Sequence, residues 1–189
     1  MLVRVLVFLL ETIFSLLMGA ALVRAWMNWH RVSMTVQPGR FVMALTDWLV
    51  KPLRRALPKA LAQARVDWAS IFAALVLALL YALVWSLIFG VMLGVVHWGP
   101  GVSPTAFLIL LGFAVKMLAK VALQTAMIIV LGYVILSWVQ PGSPVYVMLA
   151  RLSDPLLSPL RRVLPVLGGV DLSPLVLLLM LQVGLMVIS

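Results

Sequence analysis

Apolar residues run along this chain in four blocks, parted by two long polar stretches and one short one. The first block, 3–23, predicts a helix that at ~1.5 Å per residue is long enough to cross a hydrocarbon layer of ~30 Å. Arg24 ends it, and Trp26 and Trp29 follow, as indole rings do at the headgroup level. Glu11 interrupts what would otherwise be the apolar centre of a cleaved signal peptide, so an uncleaved anchor is expected. The second block, 70–96, closes at His97, Trp98 and Gly99-Pro100-Gly101, and carries Gly90 and Gly94 at a spacing that admits close helix approach. The third block, 105–138, is too long for one upright span. Lys116 and Lys120 divide it into a span over 121–137 and an interfacial stretch, 105–119, of the same helix; a hairpin of two short spans is the alternative. The fourth block, 172–189, has the minimum length for a crossing.

Composition and charge sharpen this pattern. Hydrophobic residues make up 65% of the 189 and charged ones 10%, with a mean hydropathy of +1.22, which excludes a water-soluble fold. The formal charge of +9 admits either a nucleic-acid footprint or topology-setting charge beside a membrane. Position favours the second. Eleven of the fourteen Lys and Arg lie in the two polar stretches 24–69 and 138–171, each bracketed by apolar blocks. The positive-inside rule then puts both stretches in the cytoplasm of a bacterial inner membrane, with both termini outward; anionic lipid headgroups are the expected contacts, and no nucleic acid is expected.

The two basic stretches are copies of one another. Asp47-Trp-Leu-Val-Lys-Pro-Leu-Arg-Arg-Ala-Leu-Pro58 aligns without gaps to Asp154-Pro-Leu-Leu-Ser-Pro-Leu-Arg-Arg-Val-Leu-Pro165, with eight of twelve positions identical. The shared positions include Pro52, Leu53, Arg54 and Arg55 in the first copy and Pro159, Leu160, Arg161 and Arg162 in the second; Asp67 and Asp171 stand before the following blocks. Two crossings per unit make the repeat parallel rather than inverted. The expected fold is therefore an all-α membrane protein of four transmembrane helices, arranged as two helix-loop-helix repeats, 1–97 and 98–189. Within the loops, Asp154 and Pro155 fit an N-cap and a first helical position, while Pro159 and Pro165 predict short kinked interfacial turns. Gly168 and Gly169 then let the chain turn.

The segment from Ser137-Trp138 through Asp154-Pro155, Pro159-Leu160-Arg161-Arg162, Pro165, Gly168-Gly169 and Asp171-Leu-Ser173-Pro174 resembles the YggT family of small multi-pass membrane proteins. The first copy, with Asp47, Pro52, Leu53, Arg54, Arg55, Pro58 and Asp67, extends the resemblance over most of the chain, although Trp48 replaces proline there and no Gly-Gly pair precedes Asp67. A doubled unit looks like the Gram-negative members. The resemblance implies a factor in osmotic-stress tolerance or potassium homeostasis, or, from plastid relatives, an assembly scaffold of the cytochrome-maturation or cell-division kind. It supplies a signature without an assigned chemical role, and a protein partner or a second copy of the chain is among the expected contacts.

Candidate chemistry is sparse. The chain has no cysteine, two histidines and five acids, and no P-loop, metal-binding helix pair or nucleophile elbow, so neither an enzyme nor a bound cofactor or metal is expected. His30 and His97 fall about one membrane thickness apart and cannot share a haem. Glu11 is the exception, being an acid inside a span. It lies about 20 Å from Arg24 along the helix, and Gln124 about 21 Å from Trp138, so the two match in depth; Lys120, one turn higher, reaches Glu11 along its flexible stem.

Overall fold

The computed structural model describes residues 1–34, 37–58, 61, 66–90, 104–164 and 171–188. Among these there is no strand, and six helices account for most of the chain. They are α1 (Leu2–Trp29), α2 (Gly39–Ala56), α3 (Trp68–Trp85, continued by a wider π turn over Ser86–Gly90), α4 (Pro104–Val139), α5 (Pro144–Val163) and α6 (Ser173–Ile188). Helices α1, α3 and α4 are long and apolar enough to cross a membrane. Helix α6 is equally apolar but has 16 residues, about 24 Å of helical rise. His97, Gly94, Pro165, Gly168 and Gly169, singled out in the sequence, lie outside the described residues.

Small side chains set the close contacts. On α3, Ala69, Ala73, Ala74, Ala78 and Ala82 are all buried, so α1 and α2 approach its backbone with little intervening bulk. Met18 of α1, Leu77 and Tyr81 of α3, and Ala114, Met117 and Val121 of α4 close the upper core. The reverse faces carry exposed apolar residues, such as Phe8 and Leu16 on α1 and Met186 on α6. Such a belt is stable against lipid and unstable against water.

Three expectations need correction. The first apolar helix does not end at Val23: it runs on to Trp29, and Arg24 is buried inside it. The reason is that Arg24 meets Asp47 and Thr46 of α2, which replace the water its charge would otherwise require. Second, the basic loops are not short kinked turns; each contains one amphipathic helix, α2 or α5, with its prolines inside. Pro52, Pro155 and Pro159 all lie on exposed sides of these helices. The residues whose carbonyls lose an i+4 partner there, Trp48, Arg151 and Pro155, are exposed, while Val50, Leu152 and Leu157 bury the opposite side and hold the helices together. Third, Asp154 is not an N-cap. The Ser143 hydroxyl caps α5 by accepting from the Tyr146 N–H at 3.1 Å, and Pro144 takes the first helical position.

The 105–138 block is one uninterrupted helix, and the structure contains no hairpin there. Its first half packs in the bundle through Phe113, Ala114 and Met117, with Phe113 against the rings of Tyr81 and Trp85.

Candidate functional site

The polar chemistry of the molecule is concentrated where the basic helices meet the long ones. In the first half, Arg24 Nη1 of α1 donates to Thr46 Oγ1 at 2.8 Å and to Asp47 Oδ1 at 2.7 Å, and Lys51 Nζ holds the other oxygen of Asp47 at 2.7 Å. One turn further, Arg54 Nη2 donates to both carboxylate oxygens of Asp67 at 2.9 Å. Asp67 is only 5% exposed, and it also caps α3 by accepting from the Ser70 N–H and hydroxyl. The amphipathic helix α2 is thus tied to α1 at its middle and to the start of α3 near its C-terminal end.

The second half uses the same residue types with two cations fewer. Arg161 alone donates to Asp171 Oδ2 through Nε at 2.8 Å, to Asp154 Oδ1 through Nη1 at 3.3 Å, and to the Tyr133 hydroxyl through Nη2 at 3.2 Å. Asp171 accepts from the Ser173 N–H at 2.9 Å at the start of α6. Of the signature residues, Asp154, Arg161, Asp171 and Ser173 therefore converge; Leu160 packs beside Leu157, and Pro174 is buried beside Ser173. Arg162 is not in the cluster. It and its first-copy counterpart Arg55 are exposed and make no ion pair with a described residue, and Pro58 is exposed as well. Leu53 packs against the cluster around Val50.

Within the bundle, Lys120 Nζ donates to Glu11 Oε1 at 2.9 Å, joining α4 to α1. Gln124 lines the same cleft as Glu11, together with Thr12, Ser15 and Thr125, and the cleft encloses about 580 Å³. Gly19 forms its tightest point, since a Cβ there would come within 3.2 Å of Thr125 Oγ1. All five acidic side chains of the chain are consequently ion-paired, and all but Asp47–Lys51 and Asp154–Arg161 join different elements.

A second cavity, of about 510 Å³, lies beside α5 and is lined by His30, Tyr133, Ala150, Arg151, Asp154 and Arg161. A third, apolar and about 210 Å³, includes Trp26, Trp29, Ile129 and Leu156 in its walls. No group of three metal-ligating side chains occurs among the described residues.

The environment lowers two of the carboxyl pKa values. For Asp47 the hydrogen bond from Lys51 is the main cause, with burial opposing it and Arg24 adding to it. For Asp171 burial acts upward, but the Ser173 N–H and hydroxyl and the Arg161 guanidinium outweigh it. The Tyr146 hydroxyl pKa is raised, first by the neighbouring Tyr133, whose ring stacks on it at 5.6 Å, and then by burial, with Arg161 opposing the rise.

Sequence reasoning missed Arg24, Thr46, Ser70 and Tyr133. The usable signal for Arg24 was the pair Trp26 and Trp29 beyond it: if the indoles mark the interface, the arginine lies on the inner side of it and needs a partner. Tyr133 gave no such signal, because a tyrosine within an apolar run reads as core.

The family described as CCB3/YggT matches residues 3–88 and 112–189. The chain is 35% identical over 179 residues to the uncharacterized YggT protein of Escherichia coli strain K12, covering 94% of this chain and 86% of the relative. It is 36% identical over 178 residues to an uncharacterized protein of Pseudomonas aeruginosa, covering 93% and 84%. A protein of Vibrio alginolyticus is 32% identical over 176 residues, covering 93% and 88%. No solved structure matches the chain.

Two outcomes follow from the ion pairs. Arg161→Gln removes the partner of two carboxylates and is expected to lower stability in detergent by about 1–3 kcal/mol, whereas Arg162→Gln stays within about 0.5 kcal/mol; thermal unfolding of the two variants compares them. Asp47 and Asp171 have folded pKa values below their unfolded ones, so their contribution is complete above the unfolded carboxyl value of about 3.9 and lost as pH falls through the folded values. The unfolding midpoint should therefore be flat from pH 7 to 5 with respect to these groups and drop below about pH 4.

Proposed function

The chain belongs to the CCB3/YggT family, and from that premise we propose that it is a non-enzymatic multi-pass protein of the bacterial inner membrane that acts in osmotic-stress tolerance or ion homeostasis. In this reading α1, α3, α4 and α6 all cross the bilayer, α6 by way of local thinning, and the repeated units lie the same way up. Both basic helices rest in the cytoplasmic headgroup layer with the termini outward. Their apolar sides face the bundle, their prolines and free arginines face out, and anionic lipid is the partner of Arg55 and Arg162.

The observation that carries the reading is the Glu11–Lys120 pair between two apolar helices, beside a largely apolar cleft into which Glu11, Thr12, Ser15, Gln124 and Thr125 bring the polar atoms. A charge pair in that setting needs a reason, because apolar packing would hold the two helices without the desolvation cost. The cleft has one acid, already neutralised by a lysine, and an amide and hydroxyls beside it. That set responds to an ion or to hydration; it is not a ring of oxygens able to strip and pass one. The proposal is therefore a response coupled to ionic conditions rather than a selective pore.

A second reading, an assembly scaffold for other membrane proteins, is favoured by one observation: Arg55 and Arg162 stand exposed on equivalent turns of α2 and α5 without an ion pair to a described residue. Paired positive points of this kind fit an acidic partner segment.

Glu11→Gln at unchanged protein level is expected to lower hyperosmotic survival or potassium uptake several-fold, and the exchange Glu11→Lys with Lys120→Glu to restore it if the pair itself is what matters. Normal growth and flux in Glu11→Gln would remove the role of the cleft. Under the scaffold reading, Arg55→Gln with Arg162→Gln should lose a crosslinked partner while the protein stays inserted, and an unchanged set of crosslinks would reject it.

A further inference from the structure

The two basic helices can be matched through the residues they pack on. Val50 of α2 shares a cluster with Ala21 of α1, and Leu157 of α5 shares one with Val130 of α4. Val50 and Leu157 hold the same place in the repeated motif. Three residues on from Ala21 and Val130 stand Arg24 and Tyr133, so the second unit has a tyrosine where the first has a buried arginine. The consequences can be followed atom by atom. Thr46 and Asp47 both receive Arg24; their counterparts are Ser153, whose hydroxyl is fully buried and has no hydrogen-bond partner among the described residues, and Asp154, whose side chain is 66% exposed. Asp154 faces the 510 Å³ cavity, and its one ion pair is the long, shared contact with Arg161. The first unit gives each oxygen of the corresponding carboxylate its own cation, whereas the second gives Asp154 one shared arginine at a single oxygen.

The same cavity has a positive side. Arg151, which stands where the first copy has Ala44, lines it without an ion pair to a described residue, and His30 faces it from the end of α1. Arg151 and Asp154 are three residues apart on one helix, which places them on one face with Cβ atoms about 5–6 Å apart. A ligand that satisfies both carries an anion and a cation a short spacer apart, as a phosphoethanolamine group does. His30 in turn packs on Trp26, at 5.8 Å between rings, and Trp26 lines the apolar 210 Å³ cavity. That apolar cavity shares Val23, Thr125 and Ile129 with the cleft that runs up to Glu11. A charged mouth beside an apolar channel is the outline of a phospholipid.

We propose that the cavity lined by His30, Arg151 and Asp154 binds the headgroup of a zwitterionic aminophospholipid, with the phosphate on Arg151 and His30, the ammonium on Asp154, and an acyl chain in the apolar channel past Trp26. This rests on the reading that the basic helices lie in the headgroup layer. The ammonium donates to the carboxylate oxygen that Arg161 leaves free, a bond that a choline headgroup, with no N–H, cannot make. The volume of about 510 Å³ lies within the ~300–1,000 Å³ of ligand pockets.

The test is native mass spectrometry of the full-length protein in detergent, titrated separately with phosphatidylethanolamine, phosphatidylcholine and phosphatidylglycerol of the same acyl chains. The unmodified protein should retain phosphatidylethanolamine about threefold better than phosphatidylcholine, the size expected of one exposed charge contact. Asp154→Asn should abolish that preference, and Arg151→Gln should weaken both lipids. Soluble phosphoethanolamine should compete only weakly if the acyl channel contributes, and fully if the headgroup alone is read. Equal retention of the two zwitterionic lipids by the unmodified protein overturns the proposal, with no variant needed. Phosphatidylglycerol retention that depends on Arg55 and Arg162 reports the headgroup-layer reading separately: if it persists while the ethanolamine preference is absent, the site alone is wrong, and if both are absent the placement of the helices is wrong too.

Discussion

A carboxylate at the start of an apolar helix, held by an arginine from the amphipathic helix before it, is the interaction on which this architecture depends. Arg54 to Asp67 and Arg161 to Asp171 are the two instances. Each aspartate serves two masters at once, since it also satisfies backbone N–H groups that the first turn of α3 or α6 leaves open. Because the arginine is fixed to an apolar helix end, the amphipathic helix that bears it cannot roll or lift away without exposing an unpaired charge. The clasp converts a surface-lying element into a defined part of the bundle. It also explains why the motif repeats Arg-Arg rather than a single arginine: the first of each pair is consumed inside the protein, and the second remains available outside it.

Much of this was legible in the sequence and some of it could not be. The apolar blocks located α1, α3, α4 and α6, because long apolar periods are signals that tertiary context does not override, and the gapless repeat marked where the two basic helices lie without showing that they are helices. Helical rise matched Glu11 in depth to Gln124 and set Lys120 one turn higher, within reach along its stem, and the 2.9 Å Lys120–Glu11 contact agrees with that reach. The prolines misled, since their local effect on a helix is large, about 3 kcal/mol in an interior position, but a buried leucine face and an exposed proline face together absorb it. Arg161 and Arg162 read as equals in the sequence. Their different fates are set by Asp171 and Tyr133, which lie on other elements, and no local pattern reports that.

The two halves differ in a way that bears on what the protein does. Three cations answer two aspartates in the first half, so its basic helix is closed off by internal pairs. In the second half one arginine is divided between two aspartates, and the unspent carboxylate opens to a cavity. The cleft beside Glu11 lies between α1 and α4, the first helix of each half, and the Glu11–Lys120 pair joins those helices.

The central claim is that both clasped helices lie against the same membrane surface, and because the chain has no cysteine, single cysteines report it cleanly. Arg55→Cys and Arg162→Cys, each labelled with a membrane-impermeant maleimide in intact cells and in inverted vesicles, give the most direct measurement. Both positions should react in inverted vesicles and stay protected in intact cells. Labelling of one from outside and the other from inside would contradict the same-way-up arrangement and, with it, the shared role of the two clasps.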